Sequence, residues 1–326
     1  MRYADQTLDG RKISKLGFGA MGFAGWFGTD ESDWVDSLHY ALGQGVTFID
    51  TARAYGASEA VIGRALRSWD GEHPIVATKV ESLGSRRRWG MPVPVEQVFP
   101  RGQVRASAER SLRELGTEQL DLLQLHVWWP TWGTEGYWAD ELRQLKEDGL
   151  VRHVGASIPD HRSDMAISLV SSGLVESVQT IVNIFDPLAL DGLAPACVDN
   201  DVLVIARCVL DEGGLTGALS ADTRFDSADY RFGYFDDTVP RSVYLDKVDQ
   251  LRQYVPAYAP SLAALALKFV LQAPGITTAL TSMHVTEHAR TNIAAVDAPD
   301  LPDHVFDALR TRHRFIKNFN NATHWE

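Results

Sequence analysis

Short runs of β-branched and aliphatic residues alternate with helical patterns along almost the whole chain. Eight runs read as strands: Lys15–Gly19, Val46–Asp50, Pro74–Val80, Leu120–Val127, Val151–Ser157, Ser177–Asn183, Asp201–Cys208 and Ile276–Met283. The segments between them carry the helical period. In "SDWVDSLHYALGQG", for example, Trp34, Val35, Leu38, Ala41 and Leu42 share one face. Most strands follow one another at about 25–30 residues, the size of a βα unit. Between the seventh and eighth strands the interval widens, and "DSADYRFGYFDDTVP" predicts an insertion there with a further helix. Before the first strand, the Asp-Gly pair in "TLDGRKI" predicts a two-residue hairpin turn, and such a hairpin would plug the bottom of a barrel.

Eight βα units in sequence predict an α/β fold, a closed (β/α)8 TIM barrel. It carries an N-terminal β-hairpin and a long insertion between strands 7 and 8. No linker, charge block or break in composition divides residues 1–326, so a single domain is expected. At 326 residues and 45% hydrophobic content the chain can bury a large core. The balance of 31 Lys+Arg against 43 Asp+Glu, a net charge of -12, argues against nucleic acid or an anionic membrane as partner. Cys197 and Cys208 have no paired spacing and read as reduced thiols of a cytoplasmic protein. The opening stretch lacks the apolar core of a signal peptide, and no apolar run reaches the ~20 residues of a membrane span. Oligomeric state leaves no mark on the sequence.

In a (β/α)8 barrel the working groups sit at the C-terminal ends of the strands and in the loops beyond them. Strand two ends at Asp50, with Tyr55 just past it. Strand three carries Lys79 and strand four His126. Neighbouring strands thus bring a carboxylate, an ammonium and an imidazole together beside a phenol. A free phenol, with a pKa near ~10, is a poor acid at neutral pH. One ammonium at ~4 Å is worth several kcal/mol at an effective dielectric of ~20. Lys79 is therefore expected to lower the pKa of Tyr55 and make it a general acid. Asp50 would keep Lys79 charged, and His126 would orient a substrate carbonyl. The four groups fit carbonyl reduction, the hydride coming from elsewhere.

Two short motifs point another way. Gly17, Gly19 and Gly22 form G-x-G-x-x-G after a strand, the nominal dinucleotide fingerprint. The helix that must open at once is replaced by "FAGWFGTDES", so a loop at a barrel mouth is the expected reading. "HVTEH" at 284–288 matches an inverted zinc-protease motif, but the last strand ends just before His284, which puts that residue in a turn. No metal site is expected.

At these residues the sequence resembles the aldo-keto reductase family. "FIDTARAYGASEAVIGRAL", "VATKV" and "LDLLQLH" resemble its catalytic segments, and "VRHVGASIPD", "SVQTIVN", "GGLTG" and "LAALALKFVLQAPGITTALTSMHVTEHARTNIAA" continue the likeness in order. The resemblance implies an NAD(P)H-dependent aldehyde or ketone reductase, an oxidoreductase with the tetrad Asp50, Tyr55, Lys79 and His126. It implies NADPH as cofactor, with NADH the other candidate, and a small-molecule carbonyl substrate. The cofactor contacts it implies are Met21, Asp50, Ser157, Gln179, Arg207, Cys208, Leu210, Ser282, His284, His288 and Asn292. Ile158 and Pro159 stand where the family commonly has an asparagine, and Arg207 stands where a tyrosine usually stacks on the nicotinamide, as in a subset of the family. His284 replaces the arginine usual near the adenosine 2′-phosphate, which weakens the preference for NADPH. Trp26, Arg53, Trp128 and Trp129 are candidates for the substrate pocket. For the tryptophans of "HVWWPTWG" the other reading is packing under a long loop, and for Arg86, Arg87 and Arg88 a solvated loop. The rival function is a cofactor-sensing regulatory or partner-binding subunit with little turnover.

Overall fold

The computed structural model describes residues 1–25, 28–83, 93–226, 229–236 and 239–316. Strands β1 (Tyr3–Leu8) and β2 (Arg11–Ser14) form an antiparallel hairpin. Eight parallel strands follow: β3 (Leu16–Gly19), β4 (Phe48–Asp50), β5 (Ile75–Val80), β6 (Leu120–Leu125), β7 (Val151–Ser157), β8 (Ser177–Ile181), β9 (Leu203–Arg207) and β10 (Thr278–Ser282). They pair in chain order, and β10 closes the ring by pairing with both β9 and β3. Each strand lies where the hydrophobic runs predict it, and all but β7 are shorter at the start, the end or both. Among the described residues, no helix is long and apolar enough to cross a membrane.

Alternation along the strands separates two cores. Outward side chains such as Ile49, Val76, Leu123, Val154, Val178 and Val204 join the large cluster packed against the helices. Inward ones form a small cluster of Phe48, Ile75, Ala77, Leu122, Leu203, Ile205 and Leu280. Leu8 and Ile13 of the hairpin belong to that inner cluster, so the hairpin closes the barrel floor, as the sequence suggests. Its turn has Asp9 at φ 52° and Gly10 at φ 74°, the paired left-handed residues of a two-residue hairpin. Following each inward row upward by steps of two, the residues change character. Phe48 leads to Asp50, Ile75 and Ala77 to Lys79, Leu122 to Gln124, and Leu203 and Ile205 to Arg207. The floor is apolar and the mouth is charged.

The outer layer follows from the helical patterns. The helix at Glu31–Gly43 is capped by Asp30, which accepts from the Asp33 amide, and buries Trp34, Leu38, Ala41 and Leu42. Val35, expected on the same face, is only partly buried at its edge. The insertion between β9 and β10 contains helices at Tyr230–Asp236 and Arg241–Gln250, and the helix at Leu262–Leu271, apolar nearly all round, follows it. The G-x-G-x-x-G stretch is explained by close approach. A Cβ on Gly17 would lie 2.7 Å from Leu280, and one on Gly22 would lie 2.6 Å from His284. A short 3-10 turn, Ala20–Ala24, follows β3 in place of a phosphate-binding helix.

Candidate active site

The tops of the inward rows meet around Asp50. Its Oδ1 accepts from Lys79 Nζ at 2.5 Å. Its Oδ2 accepts from Gln179 Nε2 at 2.8 Å and from Gln124 Nε2 at 3.2 Å. Lys79 Nζ also donates to the Thr51 carbonyl at 2.8 Å. Lys79 is 1% and Asp50 4% exposed, so the pair is held almost out of water, where an ion pair needs such extra hydrogen bonds. Four strands, β4, β5, β6 and β8, converge on one carboxylate.

Tyr55 and His126 stand beside this pair. Tyr55 is placed by two consecutive turns, its amide donating to the Ala52 carbonyl and its own carbonyl accepting from the Ser58 amide, each at 3.0 Å. His126, buried just beyond β6, lies edge-on to the Tyr55 ring, with centroids 6.0 Å apart at 82°. Lys79 Nζ lies 5.2 Å from the centroid of that ring. The structure brings all four predicted groups together.

One electrostatic expectation is overturned. The Tyr55 hydroxyl is pushed well above its ordinary value, by burial first and by the Asp50 charge second. Seen from the phenol, Lys79 and Asp50 at 2.5 Å are a nearly neutral pair, so the ammonium does not act as the lone charge assumed from the sequence. Lys79 is itself shifted down by burial, with Asp50 opposing the shift.

Around the rest of the mouth, Ser157 ends β7 with its hydroxyl buried and, among the described residues, without a hydrogen-bond partner. Gln179, expected on a cofactor amide, spends its N–H on Asp50. Arg207 at the end of β9 donates from Nη2 to Asp160 Oδ1 at 2.5 Å and to the Ile158 carbonyl at 3.0 Å, so Asp160 offsets its charge. Cys208 follows at φ 52° and donates from Sγ to Glu212 at 2.9 Å. Burial, then Glu212, hold its thiol well above the ordinary range. Leu210 is half-buried in the same loop, and Met21 half-buried in the turn after β3.

At the turn after β10, Ser282 and His284 share a hydrogen bond of 3.0 Å, and His284 meets His288 edge-on at 4.9 Å. Burial, His288 and Arg231 lower the His284 pKa to about 4, so it is neutral at pH 7. Asn292 donates to Thr281 at 3.1 Å, fixing the helix Thr286–Val296 to β10. His284 lies before that helix and only His288 lies on it, so the two histidines do not share the one helix that the zinc-protease motif requires.

The pocket candidates divide. Trp128 is fully buried, with its indole N–H on the Gly133 carbonyl, and Trp129 is 2% exposed; packing under the loop accounts for both, and neither forms an open wall. Arg53 is held by Glu59 at 2.5 Å behind the barrel wall and is not turned to the cavity as a free charge. Trp26 and Arg86, Arg87 and Arg88 lie outside the described residues. Sequence reasoning missed Gln124 and Glu59. For Gln124 the signal was there, a polar residue within an apolar strand, two positions before His126 and so on the same inward row.

Comparison with known proteins agrees with this architecture. The model of the Aldo/keto reductase family matches residues 15–312. Aldo-keto reductase YhdN of Bacillus subtilis (strain 168) is 27% identical over 289 residues, covering 86% of this chain and 84% of its own. NADH-specific methylglyoxal reductase of Escherichia coli (strain K12) is 27% identical over 303 residues, covering 87% and 90%. Among solved structures, the glycerol dehydrogenase AKR11B4 from Gluconobacter oxydans superposes with a TM-score of 0.76 at 26% identity, over 95% of each chain.

Proposed function

This chain belongs to the aldo/keto reductase family of oxidoreductases, and we propose that it reduces a small aldehyde or ketone with NADPH or NADH, Tyr55 giving the proton. The observation that carries the reading is the buried cluster of Asp50, Lys79, Tyr55 and His126 at the barrel mouth. The Ser157 hydroxyl, without a hydrogen-bond partner among the described residues, fits the carboxamide of a nicotinamide, with Gln179 beside it on the neighbouring strand. The bound nicotinamide supplies the hydride.

The chain's own residues then have distinct tasks. The Tyr55 phenol, with its raised pKa, remains protonated until it is needed. It is a weak acid, but the oxygen it protonates becomes an alkoxide as the hydride arrives, and an alkoxide is the stronger base. The transfer therefore runs downhill without a lowered phenol pKa. Asp50 and the Thr51 carbonyl hold the Lys79 ammonium in place beside the phenol ring. His126, buried edge-on to the phenol, orients the carbonyl.

The cofactor's phosphate end is read from the turn after β10. His284 is neutral there, and Arg290 is shared between Glu287 at 3.6 Å and the Tyr40 ring at 5.1 Å. These residues offer no unshared cation to a 2′-phosphate, so NADH fits them at least as well as NADPH. The test follows nicotinamide absorbance with each cofactor and a panel of small carbonyls. Methylglyoxal comes first in the panel, because the E. coli relative is named for it. Steady turnover is expected. Cofactor binding without turnover across the panel would favour the regulatory-subunit reading.

A further inference from the structure

Glu59 takes no part in the chemistry above, yet it is a carboxylate only 1% exposed, near the start of the helix Ser58–Arg67. Its Oε2 accepts from Arg53 Nη1 at 2.5 Å, and its Oε1 accepts from Thr78 Oγ1 at 2.6 Å. Arg53 stands two residues before Tyr55, and Thr78 directly precedes Lys79. Strand alternation puts Thr78 on the outer face of β5 and Lys79 on the inner. Glu59 thus grips, from behind the barrel wall, the same two elements whose front faces carry the phenol and the ammonium. A second tie runs alongside. The Thr51 and Ser58 hydroxyls share a 2.8 Å hydrogen bond, and Ser58 reaches the Ala20 carbonyl at 3.2 Å.

Such a brace has a task, because Tyr55 lies in a loop with no strand partner to fix its height. Burying a charged pair is costly, and apolar residues of similar volume would often stabilise the fold as well or better. Resting on the reading that Tyr55 donates the proton beside a charged Lys79, we propose that Glu59 is a positioning residue. It fixes the Tyr55 turn against the Lys79 strand through Arg53 and Thr78. Its charge has a second effect. Among the described residues, Asp50, Arg207, Tyr55, His126 and Glu59 are charged and titratable groups around the Lys79 ammonium. Burial and Arg207 work against that charge, while Asp50 and Glu59 support it.

The test compares wild type with E59Q, E59D, T78V and Y55F, using methylglyoxal and whichever of NADH or NADPH turns over. E59Q is expected to lower kcat about ten- to hundredfold, the scale of a small misplacement of reacting groups. Cofactor Kd should be unchanged, and the alkaline limb of the kcat profile should move to lower pH as Lys79 loses a supporting charge. E59D keeps the charge and shortens the reach, so kcat should fall with the limb in place. T78V removes one hydrogen bond and should lower kcat less, also leaving the limb. Wild-type kcat and an unmoved limb in E59Q and T78V, even with reduced stability, would overturn the proposal. If E59Q does not fold, T78V and E59D decide by the same kcat criterion. An inactive Y55F beside a wild-type-like E59Q overturns the role of Glu59 alone, whereas an active Y55F overturns the catalytic reading and this inference with it.

Discussion

The two ends of the barrel are built from the same strands and obey different physics. At the floor, Leu8 and Ile13 of the hairpin seal an inner cluster of aliphatic and aromatic side chains, and the left-handed turn at Asp9 and Gly10 is locally favoured. At the mouth, the same inward rows end in Asp50, Lys79, Gln124 and Arg207. The loop after β9 there holds Cys208, Asp211 and Glu212 at φ of 52°, 49° and 56°, each costing about 1–3 kcal/mol for a residue other than glycine. Distant contacts hold that loop. Asn183 donates to the Cys208 carbonyl at 3.0 Å, Tyr244 donates to Asp211 at 2.6 Å, and Tyr234 donates to the same carboxylate. The floor stabilises the barrel, and the mouth draws on that stability to keep charges and strained backbone in place.

Substitutions at the two ends should separate stability from activity. The largest expected effect on stability is at the mouth. Asp50→Asn leaves the Lys79 ammonium buried without its carboxylate and should cost about 3–5 kcal/mol in chemical denaturation. Turnover should be lost in the folded remainder. An unchanged midpoint would mean that Lys79 is not charged in the folded protein.

Ile13→Ala at the floor, where the side chain is fully buried, should cost about 2–5 kcal/mol while leaving kcat unchanged. A fall in kcat at temperatures where the variant is folded would show that the two ends are coupled.

The smallest effect is a pH dependence below the floor. Glu176, 3.7 Å from His153 Nδ1, and Asp9, 2.9 Å from Nε2, hold the His153 pKa above its ordinary value, against partial burial. A raised folded pKa stabilises fully below the unfolded value of ~6.5, and the contribution is lost as pH rises through the folded value. After solvent screening it amounts to about a few tenths of a kcal/mol. The melting-temperature gap between wild type and His153→Gln should narrow from about pH 6 to pH 8. A gap that widens would reverse the assigned sign.

The contrast also explains what the sequence makes legible. Barrel, hairpin and insertion follow from periodicity and turn chemistry, which are local. Strands predicted to end at Val127, Asn183 and Cys208 stop at Leu125, Ile181 and Arg207, because the apolar pattern continues into the mouth loops after pairing has ended. Asp50, Lys79 and His126 are legible because strand ends locate them and their chemistry is recognisable. The pairing of Arg53 with Glu59, the amides of Gln124 and Gln179 on Asp50, and Asp160 against Arg207 depend on residues brought together from separate elements. The same holds for the phenol's acidity, which depends on how closely Asp50 neutralises Lys79, a distance that no spacing along the chain encodes.

The most direct test of the account is the single-turnover rate of hydride transfer in Tyr55→Phe, followed by nicotinamide absorbance on mixing the cofactor-loaded protein with methylglyoxal. The rate should fall by about 10²–10⁴, the worth of a positioned general acid, with cofactor Kd unchanged because the ring remains. Transfer at the wild-type rate would contradict the assignment of Tyr55 as the proton donor.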